Sequence, residues 1–309
     1  MPLSDALTDP LVTSSIDSAE RHKVLEVCDD IVAFLALGSS AQELVRAASG
    51  LLSAATFEVG STPRLPFAAK SLRPFLLSPG HSRGVVRGMV ARYVPNPAGD
   101  QEEAGGGDAR HERPLMRTVP LAYQGNHNAI VADGTTVARP SYGSDLDYEL
   151  EIGFLVIRDV RDESPAECRN AIGGLVILND ISLRDTQFEE VTGSPLGPVN
   201  KCKSFATAMS SEVVTADDYL DDMSSVSGTV HVDGELWASG RADDFVHSLP
   251  ACLSRLSQGE TVRAGELLST GTLAGCSGIE IDRLPPLGAE VVLEVEQIGR
   301  LTNRLGEPC

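Results

Sequence analysis

The chain has 309 residues, of which 42% are hydrophobic and 22% charged, and its formal net charge is −19. This length and composition are typical of a soluble globular protein with one large domain or two ordinary ones. Because so acidic a surface repels phosphate backbones, nucleic-acid binding is not expected.

The sequence also bears on the cellular location of the protein and on the role of its cysteines. No apolar run approaches the roughly 20 residues that a membrane-spanning helix needs. Residues 1–20 lack a basic segment followed by an apolar one, so a cytoplasmic protein without membrane partners is expected. The six cysteines are scattered without a C-x-x-C pair, which favours reduced structural thiols over a metal site built on Cys202 and His231.

The N-terminal part of the chain reads as helical and then irregular. Apolar residues at helical spacing predict a helix over residues 21–37, and a capping box predicts a second helix starting at Ser40. Residues 57–95 are interrupted by prolines and predict short strands, the clearest at 88–94. The Gly- and acid-rich segment 96–112 predicts a mobile loop or linker.

From Pro114 onward the pattern is rich in predicted β-structure. A capped helix is expected from Ser164 to Ala171, and a second one over residues 248–257, while Asp233-Gly234 predicts a hairpin turn. Strands are predicted at residues 129–132, 146–157, 174–180, 229–232, 236–238, 267–270 and 291–296, the last completing the sheet.

Acidic and apolar residues alternate along one predicted strand. Because alternate side chains of a strand share a face, the apolar residues point away from the acids, which are Asp145, Asp147, Glu149 and Glu151. Four carboxylates on one face, with neighbours about 7 Å apart, repel each other. A hard divalent cation such as Mg²⁺ or Ca²⁺ would stabilise such a row, so a metal site is predicted.

A further carboxylate, Asp180, follows the nearly all-apolar strand residues 175–179. Burying it alone is costly, so it is either paired, a cap at the strand end, or functional. Together with Glu149 and Glu151 it could supply three oxygen ligands on one side of an octahedron. That arrangement leaves positions for water and substrate, as Mg²⁺ favours.

Several polar residues follow in the sequence. Arg184 could fork onto a substrate carboxylate, or form a surface ion pair with Asp185 or Glu189. Lys203 could serve the same site or be merely exposed. The segment Thr270-Gly271-Thr272 follows a strand, where Gly would let the backbone approach a ligand, although many turns share this pattern.

Taken in order, these motifs resemble the fumarylacetoacetate hydrolase superfamily over residues 119–304. The motifs are Tyr123-x-Gly125, Asp147-x-Glu149-x-Glu151, Asn179-Asp180-x-Ser182-x-Arg184-Asp185-x-Gln187, Lys203-Ser204-Phe205-x-Thr207 and Thr270-Gly271-Thr272. The resemblance implies an α+β fold with a mixed β-roll catalytic domain over 116–309. It also implies a smaller, variable N-terminal α/β domain over 1–115, with the acidic Gly-rich loop near 96–113.

The resemblance also implies roles for individual residues. Glu149, Glu151 and Asp180 match the family's metal ligands for Mg²⁺, with Mn²⁺ or Ca²⁺ as other options. Substrate contacts are implied for Tyr123, Arg184, Gln187 and Thr272. Lys203 and Thr207 match positions that complete the metal and substrate environment, and Lys203 is implied as a catalytic residue. A small carboxylate or dicarbonyl substrate and a homodimer are implied as well.

The chain departs from the family pattern at the candidate general base. The family's C–C hydrolases use a His, usually paired with a Glu, to activate water. His81 is the candidate here, but no Asp or Glu lies within residues 60–99, so an ordinary loop His is the alternative. His127 is a second candidate. Phe188 stands where larger members carry a Tyr, and Arg92 aligns only loosely with a substrate-binding Arg.

Three functions are compatible with these residues. The first is Mg²⁺-dependent hydrolysis of a C–C bond in a 2-oxo acid or 1,3-dicarbonyl through a metal-stabilised enolate. The second is a lyase or isomerase using the same enolate chemistry, such as a decarboxylase, hydratase or biosynthetic tailoring enzyme. The third is a binding protein that keeps the metal pocket without catalysis.

Overall fold

The N-terminal part of the computed structural model is helical, and the model describes residues 7–15, 17–51, 64–95, 114–194 and 200–308. Its helices are α1 (Pro10–Ser15), α2 (Ser18–Val27), α3 (Ile31–Ala36) and α4 (Ser39–Leu51). The single helix predicted over 21–37 is thus two, because the Asp30 carboxylate accepts hydrogen bonds from the backbone of Val32 and Ala33 and starts a new helix. The loop predicted near 96–113 lies outside the described residues.

The remaining elements form a mixed set of strands with helices around them. The helices are α5 (Pro79–Tyr93), α6 (Pro114–Thr118), α7 (Pro165–Cys168), α8 (Arg184–Gly193) and α9 (Leu249–Ser257). The strands are β1 (Leu72–Pro74), β2 (Ile130–Ala132), β3 (Thr136–Arg139), β4 (Leu146–Asp147), β5 (Glu149–Val156), β6 (Ile172–Asn179), β7 (Ser182–Leu183), β8 (Thr207–Met209), β9 (Val214–Thr215), β10 (Ser227–Val232), β11 (Glu235–Arg241), β12 (Leu267–Ser277), β13 (Glu290–Val295) and β14 (Gly299–Pro308).

A seven-stranded mixed sheet carries the acidic strand at its centre. Its order is β1-β12-β5-β6-β8-β2, with β9 beside β6. β5 pairs antiparallel with β6 and β12, whereas β1 with β12 and β2 with β8 are parallel. This sheet and its helices confirm the predicted α+β class with a mixed, curled sheet.

A second sheet packs against the first and has the order β11-β10-β13-β14-β3. Its β10–β11 hairpin turns at Asp233-Gly234, as predicted, with φ angles of 48° and 81°. The sheet does not end at the strand predicted over 291–296, because β14 follows and pairs antiparallel with β13.

The two faces of β5 have different environments. Leu150, Ile152 and Phe154 point into the main hydrophobic core, which includes residues of both sheets. Leu155 belongs instead to a second apolar cluster on the opposite face. The predicted alternation is therefore confirmed for β5, whose acids lie opposite the main core, near one end of the sheet. The single strand predicted over 146–157 is wrong, because it breaks at Tyr148 and β4 pairs with β7 in a separate two-stranded sheet.

Helix α5 overturns one prediction, because residues 88–94 were expected to form a strand. Glycine and β-branched residues have low helix propensity, but packing overrides it here. Gly80, Gly84 and Gly88 are four apart and share one face of α5. A Cβ at Gly88 would lie 2.1 Å from the carbonyl oxygen of Ile279, so only glycine lets the helix approach that turn so closely. None of the described helices has the length and apolar character to cross a membrane.

Candidate metal centre

Three buried carboxylates converge where β5 and β6 lie side by side. Glu149 and Glu151 belong to β5, and Asp180 follows β6 directly. The backbone N–H of Asp180 donates to the carbonyl oxygen of Glu149 at 3.1 Å, which ties the two segments together. Carboxylate oxygens of the three residues all lie within 4.8 Å of one another. In the part of the chain that the structure describes, this is the group with metal-ligand geometry.

The three carboxylates differ in their electrostatic environment. Burial alone would raise the pKa of Glu149, but Lys203 and Arg184, with a smaller effect of His81, hold it well below its usual value. Burial raises the pKa of Glu151 well above its usual value, and Asp180 and Glu149 add to that rise. Negative charge is therefore less well compensated at Glu151 than at Glu149.

The charge balance around the cluster fits a divalent cation. With all five carboxylates ionised, as metal binding requires of the ligands, and with His81 protonated, the described groups at this site leave an excess of two negative charges. The carboxylates are those of Asp147, Glu149, Glu151, Asp180 and Glu280, and the cations are Arg184, Lys203 and His81. Oxygen-only ligands and an uncompensated double charge suit a hard ion such as Mg²⁺. The residues present therefore fit the metal that the sequence predicts.

Lys203 is the cation nearest to the cluster. Its Nζ atom donates to Oε2 of Glu149 at 2.5 Å, to Oδ2 of Asp180 at 2.6 Å and to Oγ of Ser182 at 2.8 Å. Burial lowers the pKa of Lys203, but Asp180 and Glu149 raise it, and the net direction is upward. Lys203 therefore stays protonated between two of the predicted metal ligands.

Arg184 is completely buried, at the start of α8. Its Nε atom donates to Oδ2 of Asp147 at 2.7 Å, its Nη2 atom lies 2.8 Å from Oε1 of Glu149, and Nη1 donates to Oε1 of Gln187 at 2.8 Å. The guanidinium group is thus engaged by the protein itself. In this geometry it orients Glu149 and Gln187, and the substrate contact that the resemblance implies for it stays a prediction.

His81 and Glu280 form a buried pair next to the cluster. The Nδ1 atom of His81 lies 2.8 Å from Oε2 of Glu280, and its Nε2 atom lies 3.8 Å from Oε1 of Glu149. Because a carboxylate accepts hydrogen bonds, Nδ1 carries the proton, and Nε2 faces the metal ligands. Burial lowers the pKa of His81, but the carboxylates of Glu280 and Glu149 together raise it, and the net direction is upward.

The start of α5 holds the imidazole in position. Ser78 caps the helix, since its Oγ accepts a hydrogen bond from the backbone N–H of His81 at 3.0 Å. The same Oγ donates to Oδ2 of Asp244 at 2.6 Å, and that carboxylate oxygen also accepts from the N–H of Gly80 at 2.8 Å. His81 therefore sits in the first turn of a capped helix, and not in a loop.

Glu280 is the functional candidate that sequence reasoning missed. Its carboxylate accepts from Oγ of Ser277 at 2.7 Å and from the N–H of Gly275 at 3.0 Å. A Cβ at Gly84 would lie 2.5 Å from Oε1 of Glu280, so the helix backbone touches this side chain. The sequence signal for a closely packed partner was the four-residue spacing of Gly80, Gly84 and Gly88, which puts the three glycines on one face of α5.

A cavity of about 420 Å³ opens beside the cluster. Its wall includes Tyr123, Asp180, Lys203 and Thr207 together with His127, the second His candidate. These side chains make the wall polar on the side of the predicted metal ligands. The volume suits a small molecule.

The remaining predicted residues also lie at the cluster, mostly as partners of its carboxylates. Tyr123 donates from its hydroxyl to Oδ2 of Asp180 at 2.7 Å, and Thr207 donates to Oδ1 of the same residue at 3.3 Å. Thr272 donates to Oε1 of Glu151 at 3.5 Å. The structure thus brings all the residues of the predicted site into one region, most of them in contact with a carboxylate.

Arg92 stands apart from this group. Its Nε donates to Oδ2 of Asp145 at 2.7 Å, and Tyr93 donates to the same oxygen at 2.6 Å. The described cysteines are unpaired, and Cys202 and His231 are not part of a described metal-ligand cluster.

Comparison with known proteins places these residues in a known family. Residues 91–306 match the family model described as fumarylacetoacetate (FAA) hydrolase C-terminal. The chain is 30% identical over 186 residues to the homoprotocatechuate catabolism bifunctional isomerase/decarboxylase of Escherichia coli, covering 60% of this chain and 41% of that protein. It is 27% identical over 205 residues to the oxaloacetate tautomerase YisK of Bacillus subtilis, covering 63% and 62%.

The matched part therefore spans less than two thirds of the length of either relative. Among solved structures, fumarylacetoacetate hydrolase from Exiguobacterium antarcticum shares the fold, with a TM-score of 0.58 at 22% identity over 79% of this chain and 77% of that one. The family model covers more than half of this chain. The protein belongs to the fumarylacetoacetate hydrolase family.

Proposed function

We propose that this protein is a metal-dependent isomerase or tautomerase that acts on a 2-oxo acid or a 1,3-dicarbonyl compound. It removes a proton from the carbon next to a carbonyl group and returns it to a different atom. The observation that carries this proposal is the buried His81–Glu280 pair, whose free imidazole nitrogen lies 3.8 Å from Glu149 of the carboxylate cluster. The printed names of two relatives, an isomerase/decarboxylase and an oxaloacetate tautomerase, support it.

Glu149, Glu151 and Asp180 would hold the metal, for which Mg²⁺ is proposed and Mn²⁺ or Ca²⁺ are alternatives. When bound, it would bind the oxygens of the oxo acid and stabilise negative charge that develops on the carbonyl oxygen. Oxygen ligands of this kind fit such hard cations.

His81 serves as the general base in this proposal. Its Nδ1–H is held by Glu280, so Nε2 of the neutral imidazole has a free lone pair facing the cluster. When Nε2 takes the proton, the negative charge of Glu280 stabilises the imidazolium that forms. The same nitrogen then delivers the proton to another atom of the substrate, so no other reactant is consumed.

Lys203 supplies positive charge where the substrate becomes negative. Its ammonium group lines the cavity and lies between Glu149 and Asp180. A fixed cation at the developing enolate oxygen lowers the barrier to proton removal. Tyr123 and Thr207 orient Asp180 through their hydroxyl groups, and Arg184 orients Glu149.

Hydrolytic C–C bond cleavage is the second candidate, and the His81–Glu280 pair favours it too. The family's C–C hydrolases use a His with a Glu to activate water, and Glu280 supplies that partner here from a distant part of the chain. In this variant Nε2 of His81 would take its proton from water instead of carbon. The two reactions share the site and differ in the product.

Deuterium exchange tests proton removal from the carbon next to the carbonyl group, and analysis of the products separates the two candidates. The protein with Mg²⁺ is incubated in D₂O with oxaloacetate, pyruvate or an acylpyruvate, and proton NMR follows the signal of the carbon next to the carbonyl. We expect metal-dependent exchange, lost with a chelator and in His81→Gln. Exchange without cleavage supports the isomerase, whereas release of two carboxylate products supports the hydrolase. No metal-dependent change in any substrate would contradict both.

A further inference from the structure

Asp147 lies between the carboxylate cluster and the turn that carries Glu280. It is completely buried, at the end of β4. Its Oδ1 atom accepts from the N–H of Gly278 and of Tyr148, each at 2.8 Å. Its Oδ2 atom accepts from the N–H of Ile279 at 3.0 Å and from Nε of Arg184 at 2.7 Å. Both carboxylate oxygens are thus fully used.

The turn that carries Glu280 lacks a cap of its own. It is a single 3₁₀ turn, Ile279–Ile281, preceded by Gly278, which has no side chain to accept the free N–H groups at its start. Asp147 performs that task from another strand. Its carboxylate accepts from the N–H groups of Gly278 and Ile279, the first two N–H groups at the start of the turn.

The contact between Asp147 and the turn leaves no free space. A Cβ at Gly278 would lie 2.4 Å from Oδ1 of Asp147 and equally close to the carbonyl oxygen of Arg283. The turn closes with Asp282 in the left-handed region, at a φ of 55°. A shift of the Asp147 carboxylate would therefore also displace the backbone of the turn.

We infer that Asp147 is a positioning residue that places Glu280 against His81, and this inference rests on the proposed function. The contacts form a closed chain of buried groups. Glu149 binds Arg184, Arg184 binds Asp147, Asp147 holds the turn, and Glu280 on that turn binds His81, whose other nitrogen faces Glu149 again. Asp147 thereby fixes the proton-transfer pair relative to the carboxylate cluster.

A simpler role for Asp147 would be to neutralise the buried Arg184 alone. The two roles predict different effects of Asp147→Asn, because an Asn keeps the shape but turns a donor group toward one of its partners. If Asp147 acts through Glu280, then Asp147→Asn should not lower kcat further in a protein that already carries Glu280→Gln. If Asp147 acts only on Arg184, the fold-losses in kcat of the two single variants should multiply in the double variant.

The experiment compares Asp147→Asn, Glu280→Gln, the double variant and the control Asp145→Asn in metal-dependent deuterium exchange. We expect Asp147→Asn to lower kcat by about 10-fold or more, with KM and the metal Kd nearly unchanged. The double variant should match Glu280→Gln within about twofold. The control, two residues away and paired with Arg92, should retain wild-type kcat. A wild-type kcat in Asp147→Asn, or multiplied losses in the double variant, would overturn the inference.

Gly278→Ala provides a second variant in case Asp147→Asn does not fold. It keeps the carboxylate and its ion pair with Arg184 but forces the turn away from Oδ1, so it should reproduce the loss in kcat. Full kcat in a folded Gly278→Ala protein would count against Asp147 as a positioning residue.

A spectroscopic readout separates this inference from the proposed function. The hydrogen-bonded Nδ1–H of His81 should give a downfield proton NMR signal in the wild-type protein, assigned by its loss in His81→Gln. We expect the signal to persist in Asp145→Asn and to disappear or shift in Asp147→Asn, whether or not a substrate is known. An unchanged signal in Asp147→Asn would overturn the inference even in an active enzyme. Absence of metal-dependent exchange with a changed signal would refute the function alone.

Discussion

Nδ1 of His81 lies 2.8 Å from Oε2 of Glu280, although the two residues are 199 positions apart in the sequence. Both side chains are nearly inaccessible to solvent, at 7% and 3% exposure. The contact fixes the tautomer of the imidazole and directs its other nitrogen toward Glu149. It joins a helix of the N-terminal half to a turn near the C-terminus, and the proposed chemistry depends on it.

Replacing Glu280 by Gln should weaken the base and change its pH dependence. Glu280 raises the pKa of His81 from its ordinary value of 6.5, and the base works only as neutral imidazole. Activity should therefore rise with pH through a value above 6.5 in the wild type, and at a lower pH in Glu280→Gln. We expect kcat at the optimum to fall by about 10- to 100-fold. The pH profile of deuterium exchange measures both effects.

Glu163→Gln is the matched control for that substitution, because Glu163 pairs with Arg158 away from the site. It should keep the wild-type pH profile. If Glu280→Gln also keeps it, Glu280 does not act on His81.

Gly84→Ala should damage the site even though alanine is the better helix former. Its Cβ would lie 2.5 Å from Oε1 of Glu280. The gain of about 0.5–1 kcal/mol in helix propensity is then offset by displacement of Glu280 or α5. Gly193 in α8 is the control, because a Cβ there meets no atom of the described residues within 4 Å. We expect reduced kcat in Gly84→Ala and unchanged kcat in Gly193→Ala; equal kcat in both would show that the close contact has no effect on catalysis.

Metal binding should release a proton, because burial disfavours the ionised form of Glu151 and a bound cation favours it. Burial, Asp180 and Glu149 raise its pKa above the ordinary 4.5, so without metal it favours the protonated form in the folded protein. The stability that it contributes is present below pH 4.5 and is lost as pH rises through the raised value. A divalent cation should restore that stability and bind more tightly as pH rises.

Calorimetric titration with Mg²⁺ or Mn²⁺ in buffers of different ionisation enthalpy measures this proton release. Glu151→Gln should abolish the release and weaken binding, whereas exposed Glu235→Gln should change neither. Proton release that persists in Glu151→Gln would assign it to another group.

Lys203→Met should separate metal binding from catalysis. The ammonium group of Lys203 competes with a metal for Glu149 and Asp180, so its removal should leave the metal Kd equal or lower. Turnover should fall by about 100-fold or more, because the developing charge loses its cation. Lys201→Met, with an exposed ammonium group over the ring of Tyr142, is the control and should be fully active. A tenfold weaker metal Kd in Lys203→Met would instead make Lys203 part of the metal site.

Much of the carboxylate cluster could be predicted from local patterns. The alternation around Glu149 and Glu151 follows from the period of a strand, and it places both acids opposite the apolar core. Asp180 could be predicted because it ends a strand buried on both faces. The Asp233-Gly234 turn and the capped helix at Ser164 rest on equally local rules, and both are present.

The proton-transfer pair could not be predicted in the same way. Helix α5 contains glycines and valines, which disfavour a helix locally, and it forms because Gly84 and Gly88 pack on the turn 279–281. Glu280 reaches His81 only through that packing. The glycine spacing indicates a closely packed face of α5, but it does not identify Glu280 as the residue on that face. The burial of Arg184 against Asp147 could not be predicted either, because it depends on tertiary contacts.

A crystal structure of the protein with Mg²⁺ and oxalate, a mimic of the enolate of pyruvate, tests the central claim most directly. We predict one metal ion bound by carboxylate oxygens of Glu149, Glu151 and Asp180, with oxalate on it in the cavity and Nε2 of His81 facing the oxalate. A metal ion bound elsewhere, or oxalate bound away from His81, would contradict the proposed site.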